Sequence, residues 1–337
     1  MSTINDYYSE FEERDQKVTV FVLTHKRPIL LKVMIDSVLK QTYTNFYLII
    51  LDNMSGDETR STVENYEDDR VIYIEHEGSN FRYAFSLVRT KYLVVLHDDD
   101  YIAPNYLSTM IEMMEDHERI DALTCSVNII DENGNITKRG ERFDDLILYE
   151  SFEYLEKNFI RRERIIPHFF PTAIYRKSFF PDISLFLDVN AGPLQDQFLW
   201  FEIGRRGGIT GIIGQPLYYY RQTVSQQSSI HENRMELIFL RYLYSNSNYS
   251  KYVIENNNYL YMLLKVILFS SIKKYASGQY TKADIKDIKK LIPNEIKTGI
   301  KNRLYCSMYQ LFVMIPGFFK IMYSCYKKAK GLFINHK

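Results

Sequence analysis

The hydrophobic positions follow two regimes. Up to about residue 228, short apolar runs alternate with segments of helical period, and beyond it only the helical period remains. Val18–Thr24 (VTVFVLT) is a β-branched run that predicts a buried strand. Pro28 opens a helix to about Gln41, with Leu30, Leu31, Val33, Met34, Ile35 and Val38 on its apolar face. Phe46–Leu51 predicts a second strand that ends in Asp52, and Asn53–Asp57 a turn into a helix reaching about Tyr66. Val71–Ile74 is a third strand, Arg82–Val88 a short helix, and Tyr92–Leu96 a strand buried on both faces. Asp98, Asp99 and Asp100 follow at once, then Pro104 and a helix over Asn105–Glu118. Ala122–Ile130 predicts a strand, and Asp131–Gly134 a hairpin turn into Asn135–Lys138. Ser151–Phe159 has helical character and Thr172–Tyr175 is a short strand. Gln195–Arg206 is a helix stopped by Gly207-Gly208, and Ile209–Ile213 is the last strand. Strands alternating with helices imply an α/β fold with a mostly parallel sheet flanked by helices.

Composition changes this picture only through charge. The chain has 337 residues, 46% hydrophobic and 25% charged, which is ordinary globular usage with room for a large domain and an appendage. Its formal net charge is zero, but residues 261–337 hold 15 Lys and Arg against 3 Asp and Glu. An acidic body and a basic tail follow. The expected organisation is a polar lead-in over residues 1–17, a catalytic body over 18–228 and a basic helical region over 229–337. In that region Leu304–Cys325 approaches the length of a bilayer span, yet it contains Gln310, Lys320 and Pro316-Gly317. Helices lying in the interface of an anionic membrane fit better, with a helical dimerisation domain as the alternative. The opening MSTINDYYSEFEERDQK lacks the basic-then-apolar pattern of a secretory signal. Cys125, Cys306 and Cys325 form no CxxC pair and are expected to be reduced. The expectation is a cytoplasmic protein, peripheral at the inner face of the cell membrane, with no nucleic-acid partner.

The chemistry concentrates at Asp98-Asp99-Asp100. Carboxylates at the end of a buried strand lie at the sheet's carboxyl edge, where open α/β sheets bind ligands. Three adjacent like charges are costly without a counter-cation. Hard oxygen ligands suit Mg²⁺ or Mn²⁺, and such ions usually arrive with phosphates. A solvated acidic turn is the alternative. The loop after the first strand, Thr24-His25-Lys26-Arg27-Pro28, has no glycine, and neither GxGxxG nor GxxxxGK[ST] occurs. A dinucleotide dehydrogenase and a P-loop enzyme are thereby disfavoured.

Five spaced features together resemble the family-2 glycosyltransferases of the GT-A fold, a Rossmann-like sheet. VTVFVLTHKRPILLKVMIDSVLKQTYTNFYLIILDN is similar to the family's opening strand, turn and helix, with Ser37, Val38, Leu39, Gln41 and Thr42 matching its Ser-hydrophobic-x-x-Gln-Thr ending. Asp52 stands where the family has an acid that binds the base, and the Asp cluster before Pro104 where it has a metal-binding DxD. Gln195-Asp196, opening a helix with Trp200, stands where it has Glu-Asp, and Leu217–Arg221 resembles its closing Tyr-Tyr-Arg. The likeness covers Val18–Ser228. His25 and Lys26 replace the usual Tyr-Asn, His97 the first acid of Asp-x-Asp-Asp, and Gln222 and Thr223 lie where some relatives have a His. The Gln-x-x-Arg-Trp of processive synthases is missing, which points to single additions.

The resemblance implies an inverting, metal-dependent glycosyltransferase using a nucleotide-sugar donor, a UDP-sugar above others, and a glycan or lipid-linked acceptor in cell-surface polysaccharide assembly. Asp99 would contact the Mn²⁺ or Mg²⁺, Asp98 the ribose or the metal, and Asp100 would hold the site from behind. His97 is expected to be a packed strand-end residue. Asp52 would accept from the base imide, or else cap the following helix. Thr24 and His25 sit at the same edge, where His25 could stack on the base, and Arg82 would touch base or phosphates. Asp196 would be the catalytic base, against a simple first-turn acid, with Gln195 orienting the acceptor. His168 and Tyr175 belong to an acceptor wall or to the core. A nucleotidyltransferase and an inactive membrane-bound scaffold of the same fold are the rival readings.

Overall fold

The structure is a computed structural model, and it describes residues 16–78, 80–155, 157, 170–180, 195–222, 250, 257–292 and 300–334. By contact it divides into two compact units, one holding 1–154, 162–189 and 195–225, the other 155–161, 190–194 and 226–337.

Among the described residues of the first unit, ten strands form one sheet, in the order β3-β2-β1-β4-β9-β6-β10-β5, with β7 on β6 and β8 on β10. They are β1 (Val18–Thr24), β2 (Phe46–Asp52), β3 (Val71–Glu75), β4 (Tyr92–His97), β5 (Tyr101–Ile102), β6 (Ala122–Ile130), β7 (Ile136–Lys138), β8 (Phe143–Glu150), β9 (Ala173–Arg176) and β10 (Ile209–Arg221). The helices are α1 (Pro28–Leu39), α2 (Thr59–Glu64), α3 (Asn80–Leu87), α4 (Tyr106–Asp116) and α5 (Gln195–Arg205). β1, β2 and β4 are parallel, and nearly every residue in them is buried, as continuous apolar runs covered on both faces must be. Leu31, Met34, Ile35 and Val38 of α1 and Met110, Ile111 and Met114 of α4 belong to the same core as these strands.

The sheet is parallel where the apolar runs predict it and mixed elsewhere. β9 is antiparallel to both β4 and β6, and so sits between two strands that a purely parallel order would make neighbours. β10 continues well past Ile213 to Arg221, with register shifts around Pro216. A proline has no N–H for the ladder and is tolerated in a strand at such an irregularity. β8 and the two-residue β5 have no separate signal in the hydrophobic pattern; both exist because β10 offers them an edge. The hairpin after β6 forms as expected: Asp131 accepts from the Asn133 and Asn135 N–H groups, and Gly134 takes φ 86°.

The second unit contains α6 (Asn257–Ala276), α7 (Lys282–Leu291), α8 (Ile300–Met314) and α9 (Pro316–Ile334). Thr281 and Asp284 form a capping box at the start of α7. Phe312 is fully buried, edge-on to Tyr275, Tyr309 and Phe319, and the Tyr309 hydroxyl meets Ser271 Oγ at 3.1 Å. The apolar stretch Leu304–Cys325 is broken: Ile315 N–H bonds back to Leu311 O, and Pro316 then starts α9. The lead-in up to residue 15 lies outside the described residues, as do 156, 158 and 159 of the helix expected over Ser151–Phe159; the described part is a turn at Ser151-Phe152 and helical at Glu153–Leu155 and Lys157.

Candidate functional site

The parallel register of β1, β2 and β4 assembles the site. Thr24 is level with Asp52, and Leu23 with His97, so the three strands bring their carboxyl ends to one edge. Asp98, the first residue past β4, is 3% exposed. Its Oδ2 accepts from Thr24 Oγ1 at 2.8 Å and His25 N at 3.3 Å, and its Oδ1 lies 3.1 Å from Arg27 Nη1. Burial raises the Asp98 carboxyl above the usual carboxylate range, and Thr24 and Arg27 oppose that rise. The same Arg27 Nη1 reaches Asp99 Oδ2 at 2.8 Å, so one guanidinium neutralises two of the three acids.

Asp100 is held by the closing strand. It is 1% exposed and accepts from the Tyr218 hydroxyl at 2.7 Å and from Arg221 N at 2.8 Å. Arg221 donates from Nε to Asp99 O at 2.6 Å and from Nη1 to Asp131 O and Glu132 O, both at 2.8 Å. The end of β10 thus clamps the acidic turn to the β6–β7 hairpin. Asp99 itself keeps part of its surface open, between the two anchored neighbours.

One set of ligand atoms converges here. His97, Asp99 and Asp100 each offer one within 4.8 Å of the others. Ligands on opposite sides of a divalent ion at about 2.1 Å each are separated by roughly 4 Å, so the three groups fit a cation with little movement. Two carboxylates and an imidazole suit Mn²⁺ and are compatible with Mg²⁺. Two sequence expectations change. His97 is half-buried and stands with the acids rather than packed away, and Asp98 is turned to Thr24, His25 and Arg27, outside this cluster.

Asp100 supplies a pH test. Burial first, and Asp99 second, raise its carboxyl well above the ordinary 3.8, against the pull of Arg221 and Tyr218. The folded state therefore holds this proton more tightly than the unfolded chain. Its contribution is complete below the unfolded value and is lost as pH rises through the folded one. Asn does not titrate. In EDTA, the melting temperature of Asp100→Asn relative to wild type is expected to climb as the pH is raised above the ordinary carboxylate range. A difference that stays flat or falls would overturn this.

At the end of β2, Asp52 is 1% exposed and its carboxylate accepts from Ser55 N, Ser55 Oγ and, at 2.6 Å, the Tyr73 hydroxyl. Ser55 Oγ in turn accepts from Lys26 N at 2.8 Å, and His25 Nδ1 lies 2.9 Å from Asn53 O. Asp52 thus builds the turn that joins the loops after β1 and β2. Beside it, His76 stacks on Tyr83 of α3 with ring centroids 3.8 Å apart.

Residues 19–183 match the model of the family described as Glycosyl transferase family 2. The chain carries a family 2 glycosyltransferase domain. An uncharacterized glycosyltransferase of Methanocaldococcus jannaschii is 35% identical over 130 residues, 36% of this chain and 45% of that one. A GalNAc(5)-diNAcBac-PP-undecaprenol beta-1,3-glucosyltransferase of Campylobacter jejuni is 26% identical over 152 residues, 43% of this chain and 47% of that one. The chain spans about half the length of these curated relatives. The S. aureus TarS 1–349 crystal structure in complex with UDP-GlcNAc superposes with TM-score 0.62 at 15% identity, over 88% of this chain and 90% of that one. That likeness shows the GT-A fold.

Within the family 2 domain, Thr24, His25, Asp52, Asp98, Asp99 and Asp100 share one edge of the sheet. Tyr175 does not join them. It is fully buried in β9 among Phe85, Phe180 and Trp200, so of its two readings the core one holds and it lines no acceptor wall. Gln195 and Asp196 open α5, but their side chains, that of Arg82 and the whole of His168 lie outside the described residues. Sequence reasoning missed Arg27, Tyr218, Tyr73 and Ser55. The one available signal was the Tyr218–Arg221 motif itself, which gave a match to the family but no partner.

Proposed function

We propose that the protein is an inverting, single-addition glycosyltransferase that moves a sugar from a UDP-sugar to a hydroxyl of a glycan or lipid-linked acceptor at the cytoplasmic face of a membrane. The observation that carries the reading is the His97–Asp99–Asp100 cluster at the carboxyl edge of β4, beside the ends of β1 and β2. The name of the Campylobacter relative supports an undecaprenol-linked acceptor, and the UDP-GlcNAc bound to TarS supports a UDP-sugar.

A Mn²⁺ or Mg²⁺ held by His97, Asp99 and Asp100 would offset the charge that develops on the departing diphosphate. Arg27 is close enough to Asp99 to act on the same charge, and Thr24, His25 and Asp98 form a rigid floor beneath the donor. Asp52 keeps the loops after β1 and β2 together, which would shape the place for the base. Asp196 would take the proton from the acceptor hydroxyl. One displacement, with no covalent sugar–enzyme stage, inverts the anomeric carbon.

The test is a panel of UDP-, GDP- and dTDP-sugars added to the purified full chain with MnCl₂ or with EDTA. A UDP-sugar is expected to raise the melting temperature in Mn²⁺ and to lose most of that effect in EDTA. If no nucleotide sugar stabilises the protein under either condition, the reading fails. Release of pyrophosphate from a nucleotide and a sugar phosphate would instead mark a nucleotidyltransferase.

A further inference from the structure

The helices α8 and α9 bury one apolar face and leave another in water. Tyr309, Phe312 and Phe319 point into the second unit's core. Leu304, Leu311 and Met314 form an outward line on α8; Phe318, Ile321 and Met322 do the same on α9; Ile315 is exposed at the break. Met314 is 70% exposed, Ile321 66% and Phe318 53%, values that no packed side chain has. A helix on a soluble bundle needs one apolar stripe, and these carry a second at the same period.

The charge around that stripe has one sign. From Ile300 to Lys337 there is no Asp or Glu, while Lys301, Arg303, Lys320, Lys327, Lys328, Lys330 and Lys337 are cationic. The two helices meet at a bend of 104°. Among the described residues no single helix is long and apolar enough to cross a membrane. The outward apolar positions gather at and around the corner, and Arg303 on α8 and Lys320 on α9 are exposed.

We infer that the α8–α9 corner is a wedge that enters the surface of an anionic lipid bilayer, with Met314, Ile315, Phe318, Ile321 and Met322 at the acyl boundary and the flanking cations on headgroup phosphates. The inference deepens the membrane-apposed reading given above and rests on it. A second copy of the chain is the worse occupant. A two-fold contact would bring two copies of this acid-free segment together, adding positive charge to positive charge. An anionic lipid surface complements both the apolar corner and the charge.

Flotation of the full chain with vesicles tests it, using phosphatidylcholine alone or with about a third phosphatidylglycerol. Wild type is expected to float with the anionic vesicles, and less so as salt is raised. The double variant Phe318→Asp/Ile321→Asp should bind at least about tenfold more weakly, because both the apolar area and the charge match are lost. Both positions are exposed, so its melting temperature should hold. Lys320→Gln with Lys327→Gln and Lys328→Gln should mainly remove the preference for anionic lipid. A readout independent of those folds is Ile321→Trp, whose emission should be quenched by lipids brominated in the acyl chain, against the buried Trp200. Wild type that ignores anionic vesicles, a double variant that floats like wild type, or an unquenched Ile321→Trp would each overturn the wedge. So would a wild-type dimer in sedimentation that the double variant breaks, which would give the face to a second copy. UDP-sugar stabilisation, measured without vesicles, reports on the transferase reading separately.

Discussion

Asp196→Asn is expected to lower sugar transfer by roughly 10²–10⁴ while leaving donor binding almost unchanged. The two side chains have the same shape, and both can hydrogen-bond to backbone at the start of α5, the helix whose first turn Asp196 occupies. They differ in that Asn cannot accept the acceptor's proton. A group used only in the transition state takes its toll on turnover, not on ground-state affinity. The competing role is a first-turn acid favoured by the helix dipole, worth about 0.3–1 kcal/mol. The two roles separate in measurement. A base predicts lost turnover, an unchanged melting temperature and unchanged Mn²⁺-dependent UDP affinity; a dipole partner predicts a small loss of stability and near-normal transfer. Near-normal transfer, or a product that retains the donor's anomeric configuration, would remove Asp196 from the proposed role.

Asp99→Asn should weaken Mn²⁺-dependent UDP binding by more than the roughly 10–100-fold seen when only a supporting group of a metal ligand is lost. Of the three acids, Asp99 is the one with open surface: Asp98 is tied to Thr24 and Arg27, and Asp100 to Tyr218 and Arg221. The substitution also removes the Arg27–Asp99 ion pair, but that guanidinium is half-exposed and such pairs contribute about 1 kcal/mol or less. Arg27 also keeps Asp98 as a partner. The fold should therefore survive, and circular dichroism and the EDTA melting temperature should stay near wild type. Calorimetry with UDP in Mn²⁺ and in EDTA provides the check. Equal UDP affinity in the variant and wild type, with and without Mn²⁺, would place the cation elsewhere.

Much of the first unit is written locally. The runs VTVFVLT, FYLIILD and YLVVLH are apolar and β-branched enough to be buried strands in almost any context, and they became β1, β2 and β4. A buried strand that runs straight into three aspartates must deliver them to the sheet's carboxyl edge, because the chain has nowhere else to turn. The order of short motifs from Val18 to Arg221 was likewise enough to point to the family whose model matches residues 19–183. Even the break in the tail is local, since Pro316 lacks the N–H that a continuing helix requires.

What only the tertiary structure decided is which way each of those residues faces and what holds it there. His97 ends β4 and Asp98 and Asp99 lie in the turn that follows, so these side chains and Asp100 take different surroundings although they are adjacent. Which surroundings depends on residues far along the chain. Arg27 comes back to Asp98 and Asp99 across 71 and 72 positions, and Tyr218 and Arg221 reach Asp100 across 118 and 121. No periodicity or composition encodes such a meeting; it follows from β10 lying beside β5 and β6 in the same sheet. The same holds for Tyr175, which a local reading leaves between wall and core, and which the antiparallel insertion of β9 between β4 and β6 puts in the core. The outward stripe of α8 and α9 is decided in the same way. A helical period says that Leu311, Phe312, Phe318 and Phe319 are spaced for burial, but only packing on α6 selects Phe312 and Phe319 and leaves Leu311 and Phe318 in water.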